Sequence, residues 1–283
     1  MARQRINDIE LYYELTGDGS DTVVLVHGNW TDHLSWQFVA PALAERHRVL
    51  TYDRRGHSRS ERPATQGCRR LDQDDLAVLI ETLDLGPVHL VGNSYGGSIS
   101  LGLAASRPDL VRSVTAHEPP LLGVVEEYVP LTAELRQVSN LIDEVGEMLR
   151  AGDLEGGARH FIDDVALGPG TWQLLPEDNR RTFVANAATF LDTLGDPHWL
   201  DVPEPNGSPV LLTDGDDSPS WLPSIVSALA STTYHHADRH TFAGAGHVPH
   251  LSHPDAFVAV VDSFIATTTS DRSSTGTNER TRT

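Results

Sequence analysis

Three short segments hold side chains whose types and order could carry nucleophilic chemistry. The first is Gly92-Asn93-Ser94-Tyr95-Gly96-Gly97, which ends the apolar run Val88–Val91 and precedes small, helix-compatible residues. A serine at a sharp strand-to-helix bend is forced toward positive φ, and neighbours without Cβ relieve the crowding. The pattern G-x-S-x-G is weak by itself. Between a strand and a helix it describes an elbow that holds a hydroxyl above a sheet. A helix starting beneath Ser94 would also favour negative charge there. The plain alternative is a tight turn that happens to contain serine.

The second segment, "GAGHVPHLSHPDAF" (244–257), comes late in the chain. His247 follows a strand and two glycines, so its loop can swing it toward Ser94 as the general base. His250 and His253 compete with it. The three-residue spacing of these histidines invites a metal reading. Pro249 and Pro254 disrupt the helix that would align them, and no metal is expected. The third segment is "VLVHGNW" (24–30). Acyl transfer builds negative charge on a carbonyl oxygen, and backbone N–H groups aimed at that oxygen stabilise it by about 3 kcal/mol per donor. The natural donors are Tyr95, after the nucleophile, and Asn29, after His27-Gly28. His27 lies too near a strand end to be the base and reads as a loop-stabilising histidine.

The elements that must position these segments follow from the apolar pattern. Residues 6–15 alternate and end at a turn, as the first of two antiparallel strands would. The continuous apolar run at 22–28 reads as a strand buried on both faces. Stretches at 47–53, 88–92, 111–120, 208–215 and within 233–247 read as further strands. Helical patterns fill 32–45, 71–84, 95–106, 221–230 and 254–266. Strands alternating with helices predict an α/β fold: a mostly parallel eight-stranded sheet flanked by helices. Residues 120–205 break the alternation, with helices expected at 131–150, 154–166 and 180–194 and no strand. This predicts a helical lid inserted between strands, above the strand ends where ligands bind. Core segments 1–119 and 206–266 would then flank a lid at 120–205. Bulky lid residues (Tyr128, Met148, Phe161, Trp172, Phe183, Phe190, Trp199) mostly form its own core. Trp30, Trp172 and Trp199 are the candidates for touching substrate. Residues 267–283 are rich in Ser, Thr and Arg and read as a disordered tail.

Composition excludes several classes of function. The 283 residues carry a formal net charge of −19, which argues against nucleic acid as a partner. Every basic residue is arginine, so no lysine is available as Schiff base, general base or phosphate anchor. No apolar run approaches the roughly 18 residues of a membrane span, and the polar N-terminus lacks the apolar centre of a signal peptide. Cys68 is the only cysteine. The expectation is a cytoplasmic protein, monomer or homodimer, that needs no cofactor, engages no membrane and acts on a small hydrophobic substrate.

With these three segments the chain resembles the α/β-hydrolase family over residues 6–266. "YDRRGHSRS" (52–60) is also similar to a loop of that family. The resemblance implies Ser94 as nucleophile, His247 as base, and Asn29 and Tyr95 as oxyanion donors. Serine at the elbow argues against haloalkane dehalogenases and the related epoxide hydrolases, which carry Asp there. The acid departs from the family pattern, Gly-x-x-Asp after the post-lid strand. Here the chain reads Gly215-Asp216-Asp217-Ser218, and Ser218 stands in the acid's place. Asp217 serves if the turn is one residue shorter. Glu118, in "TAHEPP", ends the strand after the nucleophile helix, where some members place their acid. Glu118 is preferred, then Asp217, then Asp216, and each keeps the order Ser, acid, His. The implied activity is a serine hydrolase of a small, largely hydrophobic ester or lactone. "GNSYGG" is also similar to the Gly-Asn-Ser-Met-Gly-Gly elbow of the meta-cleavage-product hydrolases, which cut carbon–carbon bonds, although their Gly-Pro-rich oxyanion loop is missing. A non-hydrolytic lyase, cyclase or ligand-binding protein on the same fold is the third reading.

Overall fold

The computed structural model describes residues 2–124 and 133–275. Tyr128 and the end of the expected tail, 276–283, lie outside the described residues. Eight strands form one sheet: β1 (Ala2–Ile6), β2 (Ile9–Thr16), β3 (Thr22–Val26), β4 (Arg48–Tyr52), β5 (Val88–Asn93), β6 (Val111–His117), β7 (Val210–Gly215) and β8 (Asp238–Phe242). Their spatial order is β1-β2-β4-β3-β5-β6-β7-β8. The β1–β2 and β2–β4 pairs are antiparallel, and every pair from β4 to β8 is parallel.

The apolar runs became parallel strands because both of their faces are covered. In β3, Val24 and Val26 join one core with α2 (Arg69–Thr82) and α3 (Tyr95–Ser106), while Val23 and Leu25 join a second core on the other face. That second core holds Trp36, Leu43, Phe257 and Val261. It is closed by α1 (Ala40–Ala44) and the C-terminal helix Pro254–Thr275.

Between β6 and β7 the described chain is helical: α4 (Ala133–Arg150), α5 (Leu154–His160), a π-helical turn at Phe161–Ala166, α6 (Thr171–Leu174), α7 (Glu177–Asn186) and α8 (Thr189–Gly195). After β7 follow α9 (Trp221–Ser231), α10 (Pro249–Ser252) and α11 (Pro254–Thr275).

Four local expectations change. The first hairpin begins earlier, because Ile6 pairs with Ile9 and leaves Asn7-Asp8 as a two-residue loop with Asn7 at φ 51°. Asparagine tolerates that left-handed conformation, so the dipeptide was a turn signal inside an apparently continuous strand. The pattern at 32–45 is a 3-10 turn (His33–Trp36) followed by the short α1. The Asp32 side chain caps the turn at Leu34 N, and Pro41 starts the helix anew. The strand expected within 233–247 is only Asp238–Phe242, because Tyr234 turns in and its hydroxyl donates to Pro203 O at 2.7 Å. The last helix continues to Thr275, nine residues into the segment 267–283 that composition assigned to a tail.

Candidate active site

Glycines make the elbow possible. Ser94 caps α3 at φ 54°, ψ −126°. A Cβ on Gly96 would lie 2.1 Å from Val26 O, and one on Gly92 would lie 2.3 Å from Gly96 O. Any side chain there would drive β3, β5 and α3 apart. Gly28 brings the "HGN" segment against the elbow, because its Cβ would sit 3.3 Å from Ser94 Cβ. Tyr95 N–H opens the first turn of α3, where backbone donors have no intrahelical partner. Asn29 follows directly on Gly28, so both expected oxyanion donors flank Ser94.

Glu118 and His247 reach the same place by different routes. Ser94 N donates to His117 O at 2.8 Å, so the end of β6 lies beside the nucleophile. Glu118 is the next residue, fully buried, at φ 43°. Its Oε2 lies 2.6 Å from His247 Nδ1, and its Oε1 accepts from Gly215 N at 3.0 Å. Asn93 Nδ2 donates to His247 O at 2.9 Å, which ties the base's loop to the residue before Ser94. Burial pushes the Glu118 carboxyl up, but the hydrogen bond and charge of His247 and the Gly215 N–H outweigh it and hold it at about 2. An ionised carboxylate only accepts, so Nδ1 carries the proton and Nε2 is left basic.

Asp217 is not brought to the histidine. Its N–H donates to Ala245 O at 3.0 Å and its side chain is exposed. Asp216 is also exposed, and its Oδ1 accepts from Gly244 N. The end of β7 therefore contributes the Gly215 N–H, and the turn after it contributes no carboxylate to His247. His250 is buried against Trp36, with ring centroids 4.5 Å apart, and burial lowers its pKa well below the ordinary value. His253 bonds Ser252 Oγ. Burial likewise pulls His117, which donates to or accepts from Thr213 Oγ1 at 3.0 Å, down to about 4.

Trp30, fully buried at φ 71°, stacks on Phe161 and lies 5.0 Å from Phe190, both in the helical insertion. Trp172 packs edge-on against Phe183 within the insertion, and Trp199 is half-buried at its far end. Trp30 thus joins the oxyanion segment to the insertion's aromatic rings, while Trp172 packs within the insertion. Of six non-glycine residues with positive φ among those described, Trp30, Ser94 and Glu118 all belong to this site. Each such conformation costs on the order of 1–3 kcal/mol and persists only where surrounding contacts over-determine it.

Residues that sequence reasoning did not single out surround the "HGN" segment. Arg54 Nη2 donates to Gly28 O (3.2 Å) and Asn29 Oδ1 (3.0 Å), while its Nη1 donates to Asp72 at 3.0 Å. Asn186 of α7 binds the following two carbonyls. The loop "YDRRGHSRS" was the signal for Arg54; nothing local marked Asn186.

Among the described residues, two groups have donor atoms within 4.8 Å of one another, as a metal would need: His117, Glu118 and His247, and Asp32, His33 and Asp53. In both, the histidine Nδ1 already faces a carboxylate at 2.6 Å, so an ion would have to displace that hydrogen bond.

The fold and this arrangement define an α/β hydrolase. The chain belongs to the alpha/beta hydrolase family, whose sequence profile matches residues 23–260, and it is an enzyme of the hydrolase class. It is 26% identical over 272 residues to a 2-hydroxy-6-oxononadienedioate/2-hydroxy-6-oxononatrienedioate hydrolase of Paraburkholderia xenovorans (strain LB400), covering 92% of this chain and 91% of that one. It is 27% identical to a 2-hydroxymuconate semialdehyde hydrolase of Pseudomonas sp. (strain CF600), over 86% of each chain. Its fold is similar to that of a thermophilic esterase from Thermogutta terrifontis, with TM-score 0.75, 22% identity, and 95% of this chain and 99% of that one covered. Among the described residues no helix is long and apolar enough to cross a membrane.

Proposed function

We propose that Ser94, His247 and Glu118 form the catalytic triad of a hydrolase that opens a bond beside a carbonyl carbon. The first substrate class is the carbon–carbon bond of a vinylogous diketone acid of the 2-hydroxy-6-oxo-dienoate kind. The observation that carries the chemistry is the 2.6 Å His247–Glu118 contact beside the strained Ser94 elbow. The substrate class is supported by the names of the two long-coverage relatives and by the shared Gly-Asn-Ser elbow.

His247 Nε2 takes the Ser94 Oγ proton as Oγ adds to the carbonyl carbon. The carbonyl electron pair moves onto oxygen, which faces the N–H groups of Asn29 and Tyr95. Because the substrate reacts as its 2,6-dioxo tautomer, with the 2-hydroxyl proton already moved to C5, collapse breaks the C5–C6 bond and leaves a dienolate, which takes the proton from His247. Water then adds to the acyl-Ser94, gives its proton to His247, and releases the acid and the free serine. Glu118 holds the imidazole tautomer and stabilises the imidazolium in both halves. The helical insertion acts as the lid.

A second reading, hydrolysis of small apolar esters or lactones, is favoured by two features. Trp30, Phe161 and Phe190 form an apolar cluster against the oxyanion segment. Arg54, the cation touching that segment, is already engaged by Asp72, Gly28 and Asn29. The test sets 2-hydroxymuconate semialdehyde beside p-nitrophenyl esters of graded chain length. The carbon–carbon reading expects the dienoate kcat/KM to exceed the best ester by at least about 10-fold, a difference of about 1.4 kcal/mol in transition-state binding. The reverse order selects the ester reading. No turnover of either, with no fluorophosphonate labelling of Ser94, rejects both.

A further inference from the structure

The oxyanion segment is held in place by a residue of the helical insertion. Asn186, at the C-terminal end of α7, is 1% exposed although it is an amide on a helix of the insertion. Its Nδ2 lies 3.2 Å from Trp30 O, 3.1 Å from Thr31 O and 3.1 Å from Ser58 Oγ, and its Oδ1 accepts from Ser58 N at 2.8 Å. Both ends of the carboxamide are therefore engaged, and all the bonds cross more than 120 positions of sequence to reach two loops of the sheet domain. The two carbonyls belong to the residues immediately after Asn29. Trp30 and Ser58, the residues Asn186 grips, both adopt left-handed φ, 71° and 42°. An unfavourable backbone conformation needs external contacts to hold it, and here the contacts come from the insertion.

We propose that Asn186 is a positioning residue of the reaction: by binding the Trp30 and Thr31 carbonyls it fixes the peptide planes that follow Asn29, so that the Gly28–Asn29 plane, whose carbonyl Arg54 holds, keeps the Asn29 N–H aimed at the oxyanion. The proposal rests on the triad reading above. Phe161 and Phe190, packed on the Trp30 ring, support the same segment from the side, and Arg54 anchors its start at Gly28. The oxyanion site is therefore complete only with the insertion docked. The hydrogen bond to an oxyanion matters mainly in the transition state, so loosening its donor lowers kcat more than it raises KM.

The experiment uses the full chain and three variants: Asn186→Ala, Asn186→Asp and Tyr234→Phe. The aspartate keeps the shape and the acceptor toward Ser58 N but removes both amide donors. Tyr234→Phe deletes a different, partly buried bond at the end of the insertion, to Pro203 O, which involves no residue of the oxyanion segment. Two inhibitors read the effect. An alkyl trifluoromethyl ketone adds Ser94 Oγ to its carbonyl carbon and leaves an anionic oxygen in the oxyanion site. An alkyl alcohol of equal length occupies the pocket without forming any adduct.

Both Asn186 variants are expected to lose about 10- to 100-fold in kcat and in ketone affinity, with alcohol affinity and KM changed less than about 3-fold. Tyr234→Phe is expected to keep kcat within about 2-fold while lowering the melting temperature. Parallel loss of ketone and alcohol affinity in the Asn186 variants, or an unchanged ketone affinity, overturns the positioning role. A wild-type chain that neither binds the ketone nor takes a fluorophosphonate at Ser94 overturns the triad reading instead.

Discussion

Among the described residues, the His247–Glu118 and His33–Asp53 pairs are both buried and share one contact distance. His247 Nδ1 lies 2.6 Å from Glu118 Oε2, and His33 Nδ1 lies 2.6 Å from Asp53 Oδ1. Their surroundings separate them. The carboxylate of Asp53 is saturated by structure: it also accepts from His33 N at 2.9 Å and Arg59 N at 3.0 Å, and the His33 ring packs on Tyr12. Glu118 has one further bond, to Gly215 N, and the residue before it is bonded to the backbone of Ser94. A histidine–carboxylate pair is thus not a catalytic signature by itself. The elbow and the adjacent N–H donors make the difference, and only the His247–Glu118 pair lies beside them.

Replacing each carboxylate by its amide breaks or sharpens this contrast most strongly. Glu118→Gln is expected to keep the fold and lower kcat about 10³- to 10⁴-fold, as loss of a triad carboxylate does. Asp53→Asn is expected to act the other way round. It should cost about 3–5 kcal/mol of unfolding free energy, since it leaves a buried pair broken, while kcat of the remaining folded protein changes by less than about 10-fold. Steady-state kinetics paired with urea unfolding reads both. Equal kcat losses in the two variants would make the contrast a matter of position alone.

The pH dependence of stability offers a second handle, with opposite signs. Burial lowers the pKa of His33, but the bond and charge of Asp53, then the charges of Asp32 and Glu14, outweigh it and raise the net value. Its contribution is therefore full below the ordinary histidine value of about 6.5 and is lost as pH rises through the raised folded value. His117, beside the other pair, is pulled down by burial to about 4. Its contribution is full above about 6.5 and is lost as pH falls toward 4. Urea unfolding of His33→Gln should approach the wild type on the alkaline side, and that of His117→Gln on the acid side. Gaps that move in the same direction would contradict the assignment.

The smallest effect is expected at Asp217. Because its side chain is exposed while its N–H binds Ala245 O, Asp217→Asn should change kcat/KM by less than about 2-fold. A loss approaching that of Glu118→Gln would mean that the turn after β7 rearranges to bring Asp217 onto His247 during turnover.

What could be read locally was read well where one stretch of chain contains its own cause. Ser94 is legible because the glycines on either side serve a bend that the same six residues form. The parallel strands are legible because a strand covered on both faces needs a continuous apolar run, as in Val23–Val26. His247 is legible from its place after β8. The Asn7-Asp8 hairpin, the break between Trp36 and Ala40, and the length of α11 were misjudged, because local pattern marks what is buried but not where a backbone turns.

By itself, then, the sequence determined an α/β sheet, a helical interruption between β6 and β7, and a serine elbow with a late histidine. Apolar spacing and glycine sterics act over a few residues, and those features need nothing more. The contact of His247 with Glu118 and not Asp217, the separation of that pair from His33–Asp53, and the grip of Asn186 on Trp30 and Thr31 were decided only in three dimensions. Each depends on which of several equivalent polar groups meets a partner 20 to 156 positions away, and hydrogen bonds act over about 3 Å regardless of sequence distance. A carboxylate one residue short of its place on a turn faces water, while one that follows the end of the neighbouring strand meets the imidazole.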